Sequence, residues 1–108
     1  MWYSASLLYE SVHDQKVREE DIWEERIVLI SAGTDAEARA QAELIGINGE
    51  VAYWSASKEQ VRWVFREVQS IFELLDQELK AGAEVFSRFL RASEARSLLV
   101  PFEEETES

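Results

Sequence analysis

His13 is the only histidine of the chain, and Asp14 follows it directly. An aspartate beside an imidazole can orient the ring for work as a general base. Such a pair would activate a hydroxyl, that of Ser4, Ser11 or Ser87, but no nucleophile-elbow pattern accompanies these serines. The competing interpretation is a solvated histidine in a polar connection. The sequence favours this second interpretation, so we predict no catalytic residue and lean towards a protein that is not an enzyme.

Three glutamates stand in otherwise apolar stretches that we expect to be strands: Glu10, Glu73 and Glu84. Two carboxylates that converge in a cleft can act as acid and base. Salt bridges to arginines in neighbouring strands explain the same residues equally well. Sequence spacing therefore leaves both interpretations open.

A dense acidic group between residues 19 and 25 would suit a hard cation. Its spacing is not that of an EF-hand loop, and Glu24 and Glu25 would point to opposite faces of a strand. Zinc is disfavoured by one histidine and no cysteine. The four glycines are isolated, with neither GxGxxG nor a P-loop. We interpret the acidic group as solvated and predict no metal and no cofactor.

The aromatic content is the most unusual feature of the chain, with four Trp, three Tyr and five Phe in 108 residues. Alternating aromatics are usually core, yet four tryptophans are hard to bury fully in one small domain. An exposed aromatic face ringed by charge suits a dimer or partner interface. The candidate interaction or pocket residues are Trp2, Tyr9, Trp23, Trp54, Trp63, Glu73 and His13.

A formal charge of -11 bears on the partners. It repels a phosphate backbone and an anionic membrane surface, so we expect neither nucleic acid nor membrane as a partner. Self-association and a basic protein partner remain compatible with it. The absence of cysteine and of a long apolar segment leads us to expect a cytoplasmic location.

Alternation and capping signals divide residues 1–100 into the elements of one domain. Residues 2–12 place Tyr3, Ala5, Leu7 and Tyr9 on one face of a first strand. Polar residues connect it to a second strand over 22–32, which is apolar on both faces in its middle and is expected to be central. A third strand is expected over 50–56.

The segment "GTDAEARAQAELIGING" has the features of a helix. Thr34 is the expected N-cap, Glu37 its capping-box partner and Asp35 an acidic residue of the first turn. Gly46 is the expected stop. A narrow stripe is expected to face the first two strands: Ala38, Ala42 and Ile45.

The stretch "VRWVFREVQSIFELL", residues 61–75, fits two structures. Its apolar residues recur every three or four positions, as in a helix, while Val61, Trp63 and Phe65 alternate with arginines, as in a strand. β-Branched and aromatic residues favour the strand, with a bulge near Glu67 to bring Val68 onto the same face. The helix remains an alternative at this point.

Beyond this stretch we expect a turn that ends near Gly82, a fifth strand over 83–91 and a short helix that Ser93 caps and Pro101 ends. The chain then finishes in an acidic tail over 101–108, which is too poor in apolar groups to fold.

The order of blocks resembles a small bacterial family, domain of unknown function four-two-eight-eight. The resemblance rests on "WYSASLLYES", "IWEERIVLI", "DAEARAQAE", "VRWVFREVQSIFEL" and "AEVFSRFL", and it extends from Trp2 to about Leu90. It implies a compact α+β domain with an antiparallel sheet and thereby supports the strand at 61–75. It implies no reaction, cofactor or catalytic residue.

The predicted fold is therefore α+β, with an antiparallel sheet of about five strands, one main helix packed on one face and a short C-terminal helix. For function we expect a non-enzymatic interaction module, homodimeric through an aromatic sheet face or edge, or an acidic blocker of a basic partner. The alternative is a small-molecule binder or small hydrolase with a pocket between helix and sheet, lined by Trp54, Trp63 and Tyr9 and polarised by Glu73 or His13.

Overall fold

The computed structural model describes residues 1–14 and 22–100. Most of the polar connection after the first strand, with the acidic residues 19–21, and the acidic tail over 101–108 lie outside the described residues. Over the two described ranges, no helix has the length and apolar character needed to cross a membrane.

Over residues 1–14 and 22–100, four strands and two helices form an α+β structure. In chain order they are β1 (Trp2–His13), β2 (Trp23–Ser31), α1 (Asp35–Asn48), β3 (Val51–Trp54), β4 (Gln60–Glu73) and α2 (Ala92–Leu99). All three strand pairs are antiparallel, and the strand order across the sheet is β2-β1-β4-β3. The antiparallel α+β prediction is thus confirmed, while the expectation of about five strands is wrong.

The second strand was expected to be central, and this expectation is wrong, because β2 lies at one edge and β1 and β4 occupy the middle. Val28 and Ile30 point towards the core, but Ile27 and Leu29 on the other side of β2 are about half exposed. An apolar stretch on both faces of a strand is therefore insufficient to place it inside a sheet.

Of residues 61–75, all but the last two form a strand, since β4 pairs with β1 from Val61 to Glu73. The register shifts twice: Tyr9 lies opposite Phe65 and Leu8 opposite Glu67, while Leu7 lies opposite Val68 and Ser6 opposite Ser70. Each shift inserts one extra residue in β4, the definition of a bulge. The bulge predicted near Glu67 is therefore confirmed, with an irregularity on either side of it.

The start of α1 follows its sequence signals, whereas its end does not. Thr34 is the N-cap, and its hydroxyl accepts from the Glu37 N–H at 3.1 Å. The Glu37 carboxylate accepts from the N–H of Gly33 at 2.9 Å, one residue before the cap. Gly49, not Gly46, ends the helix. Gly46 lies within the helix, where it allows close packing against the sheet instead of ending the helix.

The core lies on the face of the sheet that carries the odd-numbered residues of β1, which we call the core face. Tyr3, Ala5, Leu7 and Tyr9 are each at most 1% exposed and form one cluster with Ala38 and Ala42 of α1. The third buried position of the α1 stripe is Gly46, not the predicted Ile45. α1 contacts β4 more extensively than β1 or β2, which differs from the expected packing on the first two strands.

Residues 83–91 were expected to form a fifth strand and instead form an extended segment outside the ladder. Phe86 packs on Phe72 of β4, and Arg88 approaches Glu25 of β2. β1 lies between those two strands, so the segment crosses the sheet on the face opposite the core face. A chain that crosses strands cannot align its N–H and C=O groups with theirs, which accounts for the missing strand.

The C-terminal helix is confirmed, but its cap was misplaced. α2 begins at Ala92 with Arg91 as N-cap, two residues before Ser93, and the Glu94 carboxylate accepts from the Arg91 N–H at 2.8 Å. Pro101, its expected end, lies outside the described residues. The predicted turn before Ala83 is present, with Gly82 at φ 89 and an Ala83 N–H to Lys80 O bond of 3.0 Å.

Candidate functional site

The seven candidate residues occupy different environments and do not meet at one point. Tyr9 is buried, whereas Trp2, Trp63 and His13 are partly buried. Trp23, Trp54 and Glu73 are exposed. Trp23 lies on edge strand β2 and Trp54 on edge strand β3, with two strands between them. At about 4.8 Å per strand spacing, these edges are roughly 14 Å apart, so the two tryptophans belong to separate surfaces.

Tyr9 is held from three sides in the core. Its hydroxyl donates to Gly46 O at 2.8 Å, the Arg26 guanidinium lies 3.8 Å from its ring centre, and its ring meets that of Phe65 at 5.6 Å. Burial raises the pKa of Tyr9, and the Arg26 guanidinium partly opposes that rise. Between α1 and the sheet at Tyr9, the space is thus filled by protein side chains.

Gly46 makes this close packing possible. A Cβ on Gly46 would lie 2.4 Å from a ring carbon of Phe65, a separation that real Cβ atoms do not show. The missing side chain is therefore what lets the helix backbone rest on the aromatic ring. The sequence around Gly46 does not show whether this glycine allows close packing within the helix or caps its C-terminus.

His13 has a carboxylate neighbour other than the one expected. Its Nδ1 lies 3.5 Å from Glu59 Oε1, and these side chains are only 12% and 5% exposed. Asp14 instead accepts from the Gln60 N–H at 3.1 Å. Both contacts join the end of β1 to the start of β4. Sequence reasoning missed Glu59 because its pairing with His13 depends on the β1–β4 register.

The described serines do not complete a catalytic arrangement. The buried hydroxyls of Ser4 and Ser11 make no hydrogen bond, and Ser87 is exposed. Glu10 accepts from Arg66 Nε at 2.8 Å, as the salt-bridge interpretation expected. Over residues 1–14 and 22–100, no group of three His, Cys, Asp or Glu side chains is placed to hold a metal ion.

The outer strand β3 exposes all four of its residues. The exposed fractions are 50% for Val51, 47% for Tyr53 and 65% for Trp54. The Ser55 N–H bonds Glu59 O at 2.8 Å, which makes that pair a hydrogen-bonded pair of the β3–β4 hairpin. Hydrogen-bonded and non-hydrogen-bonded pairs alternate along an antiparallel ladder. The backbone N–H and C=O groups of Tyr53 therefore point towards Val61 of β4, and those of Ala52 and Trp54 point outward, away from β4.

The described residues cover the face opposite the core face only in part. Ser4 and Ser6 of β1 are fully buried there, and Ser6 donates to the Glu25 carboxylate. A cavity of about 360 Å³ remains between β4 and the segment that crosses this face. Its lining includes Ser70, Phe72, Phe86 and Arg88.

The described residues define a small α+β domain with a four-stranded antiparallel sheet, whose edge strands are β2 and β3, and a cavity on the face away from the core. The chain belongs to the family described as Domain of unknown function (DUF4288), whose model matches residues 2–87. The match includes β1 to β4 and α1 and ends one residue before Arg88. No curated protein and no solved structure matches the chain.

Proposed function

We propose that the chain is a cytoplasmic, non-enzymatic protein-interaction module that forms a homodimer through the outer edge of β3. Two four-stranded sheets would then join into one continuous sheet across a two-fold axis. The absence of cysteine fits a reducing compartment.

The exposed, uncharged edge of β3 carries the proposal. Natural sheet edges are usually blunted by charged residues, proline or bulges, because unpaired N–H and C=O groups recruit other strands. β3 has the sequence Val-Ala-Tyr-Trp, none of whose members blunts an edge in this way. Its Tyr53 and Trp54 side chains add the aromatic area that interfaces favour.

The other edge of the sheet is better protected. β2 carries Glu24, Glu25 and Arg26 within its first half. Near its end, Gln41 of α1 donates its side-chain amide to Ser31 O at 3.1 Å, which occupies an outward acceptor. These features disfavour strand addition at β2 and leave β3 as the preferred edge.

The backbone directions at β3 specify a register. Ala52 and Trp54 face outward, so an antiparallel contact can pair Ala52 of one protomer with Trp54 of the other. Tyr53 then lies opposite Tyr53 of the second copy, on the axis. An aromatic pair directly opposite across strands contributes about 0.2–1 kcal/mol beyond a pair of alanines.

The substitution Ala52→Pro tests the contact. Proline removes the outward N–H of Ala52 and leaves the inward bonds of Tyr53 in place. We expect at least a tenfold rise in the dimer dissociation constant, measured by sedimentation equilibrium. Ala52→Ser, which keeps the N–H, is the matched control and should dimerise like the parent. Circular dichroism and thermal melts establish that both variants fold. A parent that stays monomeric up to millimolar concentration, or a folded Ala52→Pro variant that dimerises normally, contradicts the proposal.

Salt separates self-pairing from capture of a basic protein, the other partner that the charge allows. Each chain carries -11, so two copies repel one another at long range. Raising the ionic strength from 0.01 M to 0.15 M shortens the Debye length from about 30 Å to about 8 Å and should tighten the homodimer. A complex with a basic partner would weaken over the same range. Sedimentation at the two salt concentrations measures the direction.

A further inference from the structure

The cavity opposite the core face has the size of a small-molecule site. Its volume is about 360 Å³, and pockets for small ligands span about 300–1,000 Å³. One wall is β4 from Gln69 to Phe72, and the other is the crossing segment from Phe86 to Leu90. The core-face space beside Tyr9, in contrast, is filled by Phe65 and the α1 backbone.

Aromatic rings form the apolar part of this cavity. Phe72 and Phe86 meet edge to face, with ring centres 6.1 Å apart and an angle of 65° between the rings. Leu90 extends the apolar lining on the wall formed by the crossing segment. This arrangement accommodates the apolar body of a ligand, since aromatic and aliphatic side chains dominate ligand pockets.

The polar part of the cavity has donors whose capacity is not used. Among the described residues, the carboxylate oxygen nearest to Arg88 belongs to Glu25 and lies 3.8 Å from its Nη1, too far for a good hydrogen bond. The Ser70 hydroxyl is buried and makes no hydrogen bond. The cavity's own carboxylate, Glu94, already accepts from the Arg91 N–H at 2.8 Å. A ligand rich in hydrogen-bond acceptors would therefore pair with the unused donors of Arg88 and Ser70.

We propose that this cavity binds a small organic acid, with its carboxylate on Arg88 and Ser70 and its apolar body between Phe72 and Phe86. A guanidinium binds a carboxylate through two parallel N–H···O bonds, which sets the orientation of the acid. The β3 contact lies at another edge of the molecule, so this proposal stands or falls independently of the proposed homodimer.

The probe for this site is 3-phenylpropionate, titrated into the full chain and followed by amide chemical shifts. We expect saturable shifts centred on Ser70 to Phe72 and Phe86 to Arg88. The neutral comparator 3-phenylpropanol, which lacks the carboxylate, should bind at least tenfold more weakly. No saturable shift at these amides, or equal binding of the two probes, overturns the proposal.

Two arginine variants complete the experiment. Arg88→Gln should weaken 3-phenylpropionate at least tenfold, because a neutral amide cannot form the bidentate ion pair. Arg91→Gln, the matched control, removes an exposed positive charge three residues away that does not line the cavity, and it should bind like the parent. Equal loss in both variants would mean that charge alone attracts the probe, and this result also overturns the proposal.

Discussion

The two faces of the sheet are covered in different ways, one by a helix and the other by an extended segment. On the core face, α1 brings Ala38, Ala42 and Gly46 against large buried side chains of the central strands. On the opposite face, Phe86 of residues 83–91 packs on Phe72, and a cavity of about 360 Å³ remains between this segment and β4. The core face is therefore closely packed, whereas the opposite face is incompletely covered by the described residues.

The difference follows from how each element satisfies the hydrogen bonds of its backbone N–H and C=O groups. A helix bonds its own N–H and C=O groups, so it can lie on a sheet and contribute only side chains to the contact. An extended segment that crosses strands has no such internal bonding and must leave polar groups accessible to solvent. We therefore expect substitutions on the core face to have large effects on stability, and those on the opposite face smaller ones.

The largest expected effect comes from Gly46→Val. The new side chain would overlap the Phe65 ring, and overpacking of this kind costs about 1–3 kcal/mol, with the upper end expected for a β-branched residue. Urea denaturation measures the loss in the free energy of unfolding. Ala40→Val puts the same side chain at an exposed position of α1 and should cost only about 0.5 kcal/mol through helix propensity. Similar losses at the two positions would contradict close packing at Gly46.

An intermediate effect is expected where the crossing segment is anchored. Phe86→Ala removes the edge-to-face contact with Phe72 and part of the apolar burial, and it should cost roughly 1–2 kcal/mol, below the 3–5 kcal/mol of a fully buried phenylalanine. Phe89→Ala is the control, because Phe89 is fully exposed and its loss should leave stability within about 0.5 kcal/mol. Thermal melts compare the two variants. If Phe89→Ala were the more damaging, the crossing segment would be anchored elsewhere.

The smallest expected effect is that of Tyr9→Phe, which removes the hydroxyl bond to Gly46 O. Because that carbonyl also accepts from the Gly49 N–H at 3.1 Å, the loss at pH 8 should be about 1 kcal/mol. Urea denaturation of both proteins at this pH measures it. A variant as stable as the parent would indicate that the bond contributes nothing net.

The stability of the parent and of Tyr9→Phe can also be compared at alkaline pH. Burial raises the pKa of Tyr9 above its ordinary value of 10.0. The contribution of this shift to stability is therefore fully present below pH 10.0 and is lost as the pH rises from there through the pKa of the folded state. The parent should lose more stability between pH 8 and pH 10.5 than Tyr9→Phe does. Tyr3, whose pKa burial also raises, remains in both proteins and cancels in the difference. Parallel losses would contradict a buried, neutral Tyr9.

Local signals in the sequence were sufficient for several elements. Alternation over residues 2–12 predicted β1 and its core face, and Thr34 predicted the start of α1. The bulge needed to keep Phe65 and Val68 on one face of β4 is present. For β1 and the start of α1, the controlling interactions lie within a few residues along the chain, where spacing and residue type report them directly.

Other features depended on partners far apart in sequence. Glu59 meets His13 only because β4 pairs with β1, and Gly46 is buried only because Phe65 lies beneath it. The cavity of about 360 Å³ lies on the face opposite the core face, beneath a segment expected to be a strand, whereas the alternative function placed a pocket between helix and sheet. No local pattern distinguishes an extended segment that pairs from one that crosses.

The sequence by itself determined the inward row of β1 and the helix start, because periodicity and capping act over one or two turns of chain. The antiparallel α+β class was implied by the family resemblance. Only the tertiary structure decided which strands lie at the edges, which glycine is buried and where the cavity opens. Those outcomes depend on strand order and on close approach between elements far apart in the chain. Edge position in particular is a property of the assembled sheet, since backbone groups become unpaired only when no further strand lies beside them.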